Sequence, residues 1–139
     1  MLYLLDVNLL VALTNPQHVH HARAQQWFGN INLWATTSMT ETGFIRLMLN
    51  PHVAGRQILA QEVLTVLSQL RSLPGHRFLA DDTSLADPAI DTIGLVGRNQ
   101  VTDMHLVNLA ARHDAILATF DTAIPATLTG TDRQYVLVV

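Results

Sequence analysis

Short apolar runs alternate with longer amphipathic stretches along the chain, and this alternation constrains the fold more than any other feature of the sequence. The predicted strands are residues 2–5, 32–35, 77–80, 115–119 and 134–139. Apolar residues at helical spacing predict helices at residues 8–14, 19–28, 54–73 and 102–113, with a further helix capped within residues 36–38 and ending at residue 49. Strands that alternate with helices predict an α/β fold, a three-layer α/β/α domain with a mostly parallel central sheet.

The chain length of 139 residues predicts a single domain that spans residues 1–139. The least regular part is residues 81–100, which contain Pro88, Gly94 and Gly97. We expect a short helix between loops in this part.

The balance of apolar and charged residues bears on partners and on cellular location. Hydrophobic residues make up 49% of the chain and charged residues only 14%, below the roughly 25% usual in soluble domains. Some apolar side chains must therefore be exposed, so we expect a homodimer that also binds a partner protein. The absence of cysteine excludes disulfides, thiolate catalysis and zinc fingers. No apolar run approaches the roughly 20 residues of a membrane span, and the first residues lack the positive charge of a signal peptide, so we expect a cytoplasmic protein.

Four acidic residues stand where predicted strands end or predicted helices begin. Asp6 directly follows the first strand, and Asp121 follows the apolar run 115–120. Asp103 and Glu41 lie in the first turns of two helices. In a parallel α/β sheet, ligands bind in the crevice at the carboxyl ends of the strands. Four carboxylates gathered there would repel one another unless a hard cation held them, so their placement predicts a magnesium site for phosphate chemistry.

Each of these acids also has an explanation that needs no ligand. Residues 38–41 match the S-x-x-E capping box, and Asp103 lies where a helix dipole favours negative charge. Asp6 could cap the first helix, and Asp121 could begin a turn. Only convergence of the four at one end of the sheet separates a metal site from four independent caps.

The charge of the chain is compatible with an RNA partner once the acids are considered separately. The formal net charge is −3, and removing the four negative charges of the predicted site leaves +1. All eight basic residues are arginine, which suits two-point contacts with phosphate, although a GC-rich coding sequence would produce the same bias. Arg46 follows Glu41 on the same predicted helix and could contact RNA phosphate, pair with a site acid or be solvated.

Several other polar residues are predicted to be peripheral. His18, His20 and His21 could bind a transition metal, but a polar stretch that enters a helix explains them better. His105 lies two residues after a site acid, and this spacing points side chains apart on a helix. The acidic residues of segment 81–91 are predicted to be solvated.

The four acids lie in segments that match a known series of motifs. These segments are Leu4–Asn8 (LLDVN), Thr40–Leu47 (TETGFIRL) with the following Asn50-Pro51, Val101–Leu106 (VTDMHL) and Leu117–Asp121 (LATFD). In this order and at this spacing they resemble the successive motifs of PIN-domain ribonucleases, and most closely those of the VapC toxins of bacterial toxin–antitoxin pairs. The resemblance covers essentially the whole chain and implies a PIN-like fold.

The resemblance also implies a function, a site, a cofactor and partners. It implies an endoribonuclease that depends on Mg²⁺ or, alternatively, on Mn²⁺, with RNA as substrate and a cognate VapB-type antitoxin as inhibitor. Asn8 and Thr119 are implied as neighbours that hydrogen-bond to the ligands or to metal-bound water. The catalytic and metal-binding acids implied by the resemblance are Asp6, Glu41, Asp103 and Asp121.

Two functions of other classes stay open at this point. A magnesium-dependent phosphatase of a related α/β fold typically follows its first strand with D-x-D, and here Asp6-Val7-Asn8 lacks the second acid. A non-enzymatic nucleotide-binding or interaction domain is the other alternative. No G-x-G-x-x-G and no P-loop follows any predicted strand, so such a domain would have no glycine-rich cradle for phosphate.

Overall fold

The computed structural model describes all residues from 1 to 139, and its central element is one parallel sheet of five strands. The strands are β1 (Leu2–Leu5), β2 (Leu33–Thr37), β3 (His76–Leu79), β4 (Ala115–Thr119) and β5 (Val136–Val138). The helices are α1 (Val7–Thr14), α2 (His21–Phe28), α3 (Ser38–Met48), α4 (Pro51–Ala54), α5 (Ala60–Arg71) and α6 (Val101–Arg112). Short 3₁₀ helices occupy Arg98–Gln100, Pro125–Thr127 and Asp132–Tyr135.

Apolar side chains cover both faces of the sheet and so produce three layers. On one face, Leu5 and Trp34 belong to a buried cluster with side chains of α1 to α5. On the other face, Leu4 and Leu117 belong to a second buried cluster with side chains of α6. A sheet covered on both faces needs apolar residues at successive positions, which is why β1 and β4 read as continuous apolar runs. The predicted three-layer α/β/α architecture is confirmed.

The order of the strands determines where a site can form. The sheet runs β3-β2-β1-β4-β5, so the chain first extends the sheet to one side of β1 and then returns to its other side. The order reverses between β1 and β4, and a crevice opens at the carboxyl ends of strands at such a switch point. Leu5 pairs with Ala118 in the register of these two strands, so both strands end at the same level.

Most predicted elements are present, but the long helix predicted at residues 54–73 is wrong at its start. Ala54 ends the short helix α4, and Gly55 follows with a φ of 80°, a left-handed conformation that stops the helix. α5 begins only at Ala60. The short helix expected within residues 81–100 is reduced to the 3₁₀ helix at Arg98–Gln100. None of the helices combines the length and the apolar character that are needed to cross a membrane.

A glycine brings α3 close to the start of α1. A Cβ atom added to Gly43 would lie 2.7 Å from Cγ2 of Val7, which is closer than side-chain atoms pack. Val7 is the first residue of α1 and follows Asp6. The absence of a side chain at position 43 therefore lets α3 approach the end of β1.

Candidate functional site

Three aspartates converge at the carboxyl ends of β1 and β4. Asp6 follows β1, Asp121 lies two residues after the end of β4, and Asp103 lies in the first turn of α6. Burial, together with the negative charges of Asp6 and Asp121, raises the pKa of Asp103 to about 6. Burial also raises the pKa of Asp6, against hydrogen bonds that lower it, and the charge of Asp121 adds to the increase. The three carboxylates therefore share one electrostatic environment.

The carboxylate of Asp6 is held in place by hydrogen bonds from three neighbouring residues. Its Oδ1 accepts a hydrogen bond from the Val7 N–H at 2.7 Å and caps α1. Its Oδ2 accepts from the Thr119 hydroxyl at 2.6 Å and from the Asn8 side-chain amide at 3.3 Å. The Asn8 Oδ1 accepts from the Phe120 N–H at 3.1 Å. Asn8 and Thr119 thus connect the end of β1 to the end of β4 and orient Asp6.

Asp121 and Asp103 line the same hollow on the other side of this network. Asp121 Oδ1 accepts from the Ala123 N–H at 2.8 Å, and the Asp121 N–H donates to the Thr119 hydroxyl at 3.0 Å. The hollow has a volume of about 210 Å³ and is also lined by Gln100. Both carboxylates reach solvent there, since Asp103 and Asp121 are only half-buried.

Glu41 is placed differently from the three aspartates. The predicted capping box of residues 38–41 is wrong, because Thr37 is the N-cap and its N–H donates to the Thr40 hydroxyl at 3.1 Å. The Glu41 Oε1 instead accepts from the buried Thr36 hydroxyl at 2.6 Å. Its Oε2 lies 3.4 Å from Nη1 of Arg71 on α5. Glu41 is therefore held by partners on β2 and α5, and its charge is not among those that raise the pKa of Asp6 or Asp103.

A groove of about 630 Å³ runs from Asp6 between α3 and α6. Arg46 lines this groove and makes no ion pair with a site acid. Apolar side chains, among them Met39 and Leu106, form part of its walls. The groove joins a carboxylate, a guanidinium and apolar surface, which are the groups that contact metal ions, phosphates and bases in nucleic-acid sites.

The side chains at the site suit a hard cation by their chemistry. Aspartate and asparagine oxygens are the ligands that Mg²⁺ and Mn²⁺ prefer, and the mutual repulsion of the aspartates favours a bound positive charge. As the side chains are placed, no group of three acidic or histidine residues is close enough to hold one ion. The metal site therefore stays a prediction, and the chemistry of the available side chains is compatible with it.

The histidines have partners that the sequence did not reveal. His21 Nδ1 lies 2.7 Å from the carbonyl oxygen of Ala12, and His18 Nδ1 accepts from the His20 N–H at 3.0 Å, so the three histidines at positions 18–21 do not form a metal cluster. The acids of segment 81–91 are all exposed, as expected, but Asp81 also has a histidine partner. His105 Nε2 lies 2.7 Å from Asp81 Oδ1, and Asp81 lines the groove beside Asp6.

A second histidine–aspartate pair lies just after the end of α6. His113 Nε2 is 2.8 Å from Asp82 Oδ1, and the hydrogen bond with His113 lowers the pKa of Asp82. These pairs join residues that are 24 and 31 positions apart. No local pattern in the sequence signals such pairs.

The raised pKa of Asp103 predicts a stability that depends on pH. The folded chain binds a proton at Asp103 up to about pH 6, whereas the unfolded chain releases it near 3.8. Without divalent cations, this group therefore favours the unfolded state increasingly as the pH rises from about 4 to 6. The favourable helix dipole contributes only about 0.3–1 kcal/mol in the opposite direction. We expect Asp103→Asn to raise the melting temperature at pH 8 by roughly 2–5 °C and to lose this advantage near pH 4.

Thermal unfolding followed by circular dichroism at both pH values checks this expectation. Asp87→Asn is the matched control, since it removes the same charge from a side chain that is 93% exposed. A native chain that is more stable than Asp103→Asn at pH 8 would contradict the inferred repulsion.

Comparison with known proteins links this arrangement to one family. The PIN domain family model matches residues 3–127. The chain is 50% identical over 123 residues to a protein of Mycobacterium tuberculosis (strain ATCC 25618 / H37Rv) named Ribonuclease VapC38, with 87% of this chain and 86% of the relative covered. It is 43% identical over 127 residues to Ribonuclease VapC39 of the same strain, covering 89% of this chain and 91% of the relative. It is 35% identical over 136 residues to Ribonuclease VapC44 of that strain, covering 95% of each.

Proposed function

The chain belongs to the PIN-domain family, and from that premise we propose that it is a VapC-type ribonuclease toxin that uses a divalent cation to hydrolyse RNA. The observation that carries the proposal is the convergence of Asp6, Asp103 and Asp121 at the switch point of the sheet, where their charges act on one another. The ribonuclease names of the relatives support the reaction class. In this proposal, residues 1–139 form a single PIN domain, since β5 extends the same sheet beyond the matched residues.

The residues of the site have separate tasks in the proposed reaction. Asp6, Asp103 and Asp121 would hold the cation, and Asn8 and Thr119 keep the Asp6 carboxylate oriented through their hydrogen bonds to Oδ2. Orienting partners of this kind are needed because a ligand that rotates freely loses affinity for its ion.

The other predicted residues contribute from the walls of the site. Arg46 offers a guanidinium to an RNA phosphate in the groove beside Asp6. Glu41, the fourth predicted acid, is tied to Thr36 and Arg71, so we assign it a weaker share in cation binding.

The cation would supply the positive charge that the acidic side chains lack. When bound, Mg²⁺ or Mn²⁺ would acidify the attacking water and stabilise negative charge on the scissile phosphate and the leaving oxygen. The aspartates themselves are acceptors and would repel the phosphate without a compensating positive charge. This need for a cation is the reason to expect no cleavage in its absence.

Cleavage assays with the purified chain test the proposal. We expect fragments from a single-stranded or structured RNA with Mg²⁺ or Mn²⁺, no fragments after chelation with EDTA, and no release of phosphate from a phosphate monoester. The monoester separates a nuclease from a phosphatase of related fold. RNA cleavage that proceeds equally in EDTA, or hydrolysis of the monoester alone, would contradict the proposal.

The resemblance and the apolar surface support a partner and self-association. We propose that a VapB-type antitoxin inhibits the chain and that the chain forms a homodimer. Strongly exposed apolar side chains such as Val19, Ile93 and Val96 are available for such contacts. Light scattering at micromolar concentration is expected to give twice the mass of the chain, and a strict monomer would contradict the dimer.

A further inference from the structure

The ring of His20 lies on the ring of Phe120 at the edge of the acidic site. The ring centroids are 4.7 Å apart and the planes differ by 22°, so the two rings are stacked. The ring of His18 lies 5.7 Å from that of His20 and is tilted by 44°. All three side chains are half-buried, so this cluster of rings keeps part of its surface exposed to solvent.

This surface is connected to the acids through Phe120. Phe120 stands between Thr119, whose hydroxyl holds Asp6, and Asp121. Its N–H donates to the Asn8 Oδ1 at 3.1 Å, and its ring packs against the core cluster that contains α1 and α2. These contacts therefore fix the position of the stacked rings relative to the Asp6 carboxylate.

The loop before α2 holds His20 without using its ring. The His20 N–H donates to Nδ1 of His18 at 3.0 Å, and burial lowers the pKa of His18, which suits a neutral acceptor. The Asn15 side chain accepts from the Gln17 N–H at 3.0 Å in the same loop. The backbone around residue 20 is thus fixed by local hydrogen bonds.

Helix capping and hydrogen bonding do not explain a histidine at position 20. His20 is the N-cap of α2, but its side chain makes no capping hydrogen bond, and serine, threonine, aspartate or asparagine would cap better. Its ring nitrogens have no partner within the protein. Rings that do have a hydrogen-bonding partner are those of His18, His21, His76, His105 and His113.

Resting on the proposed ribonuclease function, we propose that His20, supported by Phe120, stacks on an unpaired base of the RNA next to the scissile phosphate. Proteins recognise single-stranded RNA by stacking unpaired bases on aromatic and histidine rings. The free ring nitrogens of His20 add a hydrogen-bonding group at the edge of that surface. His20 is then a substrate-positioning residue, because stacking, which accepts any base, places a nucleotide beside the acids without taking part in the reaction.

Steady-state cleavage of a short RNA with one cleavage site tests the contact. We expect His20→Ala to raise KM roughly tenfold and to leave kcat within about twofold, because the stacked base contributes to binding and not to the chemical step. His20→Phe restores a stacking ring and is expected to return KM to within about threefold of the native value. His52→Ala is the matched control, as it removes an exposed histidine elsewhere, and its KM should equal that of the native chain.

A series of RNAs with one abasic nucleotide each separates stacking from a structural role. At the position that stacks on His20, the native chain and His20→Ala should have equal KM, whereas elsewhere the tenfold difference should persist. A penalty that persists with every abasic RNA, or that His20→Phe does not reduce, would show that His20 only supports the fold. Equal KM values for the native chain and His20→Ala with the intact RNA would also overturn the proposal.

A binding measurement keeps this proposal independent of cleavage. An RNA that carries the fluorescent base 2-aminopurine at the stacked position is expected to lose fluorescence when it binds the native chain without divalent cations, and to keep it with His20→Ala. If the native chain cleaves no RNA, the proposed function fails, and this quenching still tests the stacking. Quenching that is equal in both chains would overturn the stacking even where cleavage is normal.

Discussion

The Asp6→Asn variant is expected to lose cleavage of RNA by roughly a thousandfold or more while keeping its fold. Asparagine can still accept the Val7 N–H and cap α1, so the start of the helix is preserved. It lacks the negative charge that, in our proposal, holds a cation at the carboxyl ends of β1 and β4. Burial raises the pKa of Asp6 despite the hydrogen bonds that lower it, so the hydrogen bonds to Oδ2 that the variant weakens are offset by the removal of a buried charge. Initial rates of RNA cleavage at saturating Mg²⁺, measured at equal protein concentration, check this result.

Two further variants decide whether such a loss is specific. Asp87→Asn removes an equal charge from an exposed side chain and should cleave at the native rate. Glu41→Gln should lose less activity than Asp6→Asn, since Glu41 is held by Thr36 and Arg71. A folded Asp6→Asn protein with undiminished cleavage would refute the proposed site. A loss in Glu41→Gln as large as that in Asp6→Asn would show that Glu41 leaves Arg71 and joins the acids when the cation binds.

Production of the native chain in a bacterial host without an antitoxin is expected to arrest growth, and Asp121→Asn is expected to abolish the arrest. If the three aspartates bind a cation as proposed, the chain is a nuclease that damages the RNA of any cell without the inhibitor. Asparagine at position 121 can still accept the Ala123 N–H, so the turn after β4 is preserved. Growth curves at matched protein levels and mapping of new RNA ends provide the measurement.

The control for this experiment lies just before β4. Asp114 has a φ of 51°, a left-handed conformation that asparagine adopts readily, so Asp114→Asn should fold and arrest growth like the native chain. Co-production of a VapB-type antitoxin encoded beside the chain should restore growth. Equal arrest by the native chain and by Asp121→Asn would mean that toxicity comes from the exposed apolar surface and not from cleavage.

The convergence of three aspartates could be predicted from the sequence because it depends on local patterns. The apolar runs before Asp6 and Asp121 predict the strands, and the carboxyl ends of parallel strands lie at one edge of the sheet. Asp103 follows from the start of an amphipathic helix, which the structure places at Val101. Strand and helix periods act over a few residues, so a single chain displays them without any knowledge of its distant contacts.

The contacts of the Glu41 side chain could not be predicted from the sequence. The position of Glu41 in the first turn of α3 is correct, but the direction of its side chain depends on how α3 is rotated about its axis. That rotation follows from the burial of Phe44 and Met48 in the core cluster, and it brings Glu41 to Thr36 and Arg71. Packing between elements sets this angle, and the sequence near Glu41 instead suggested a capping box.

By itself the sequence determined the α/β class, the two central strands β1 and β4 with their correct bounds, and the placement of Asp6 and Asp121 at the strand exits. The resemblance implied Asn8 and Thr119 as partners of a site acid, but only the tertiary structure decided that both bind Oδ2 of Asp6, that Glu41 contacts Arg71, and that His20 stacks on Phe120. The physical reason is the separation along the chain over which each interaction acts. Hydrophobic periodicity and helix caps act between near neighbours in the chain. Side chains 30 to 113 positions apart meet only after the burial of the two cores has fixed every helix against the sheet.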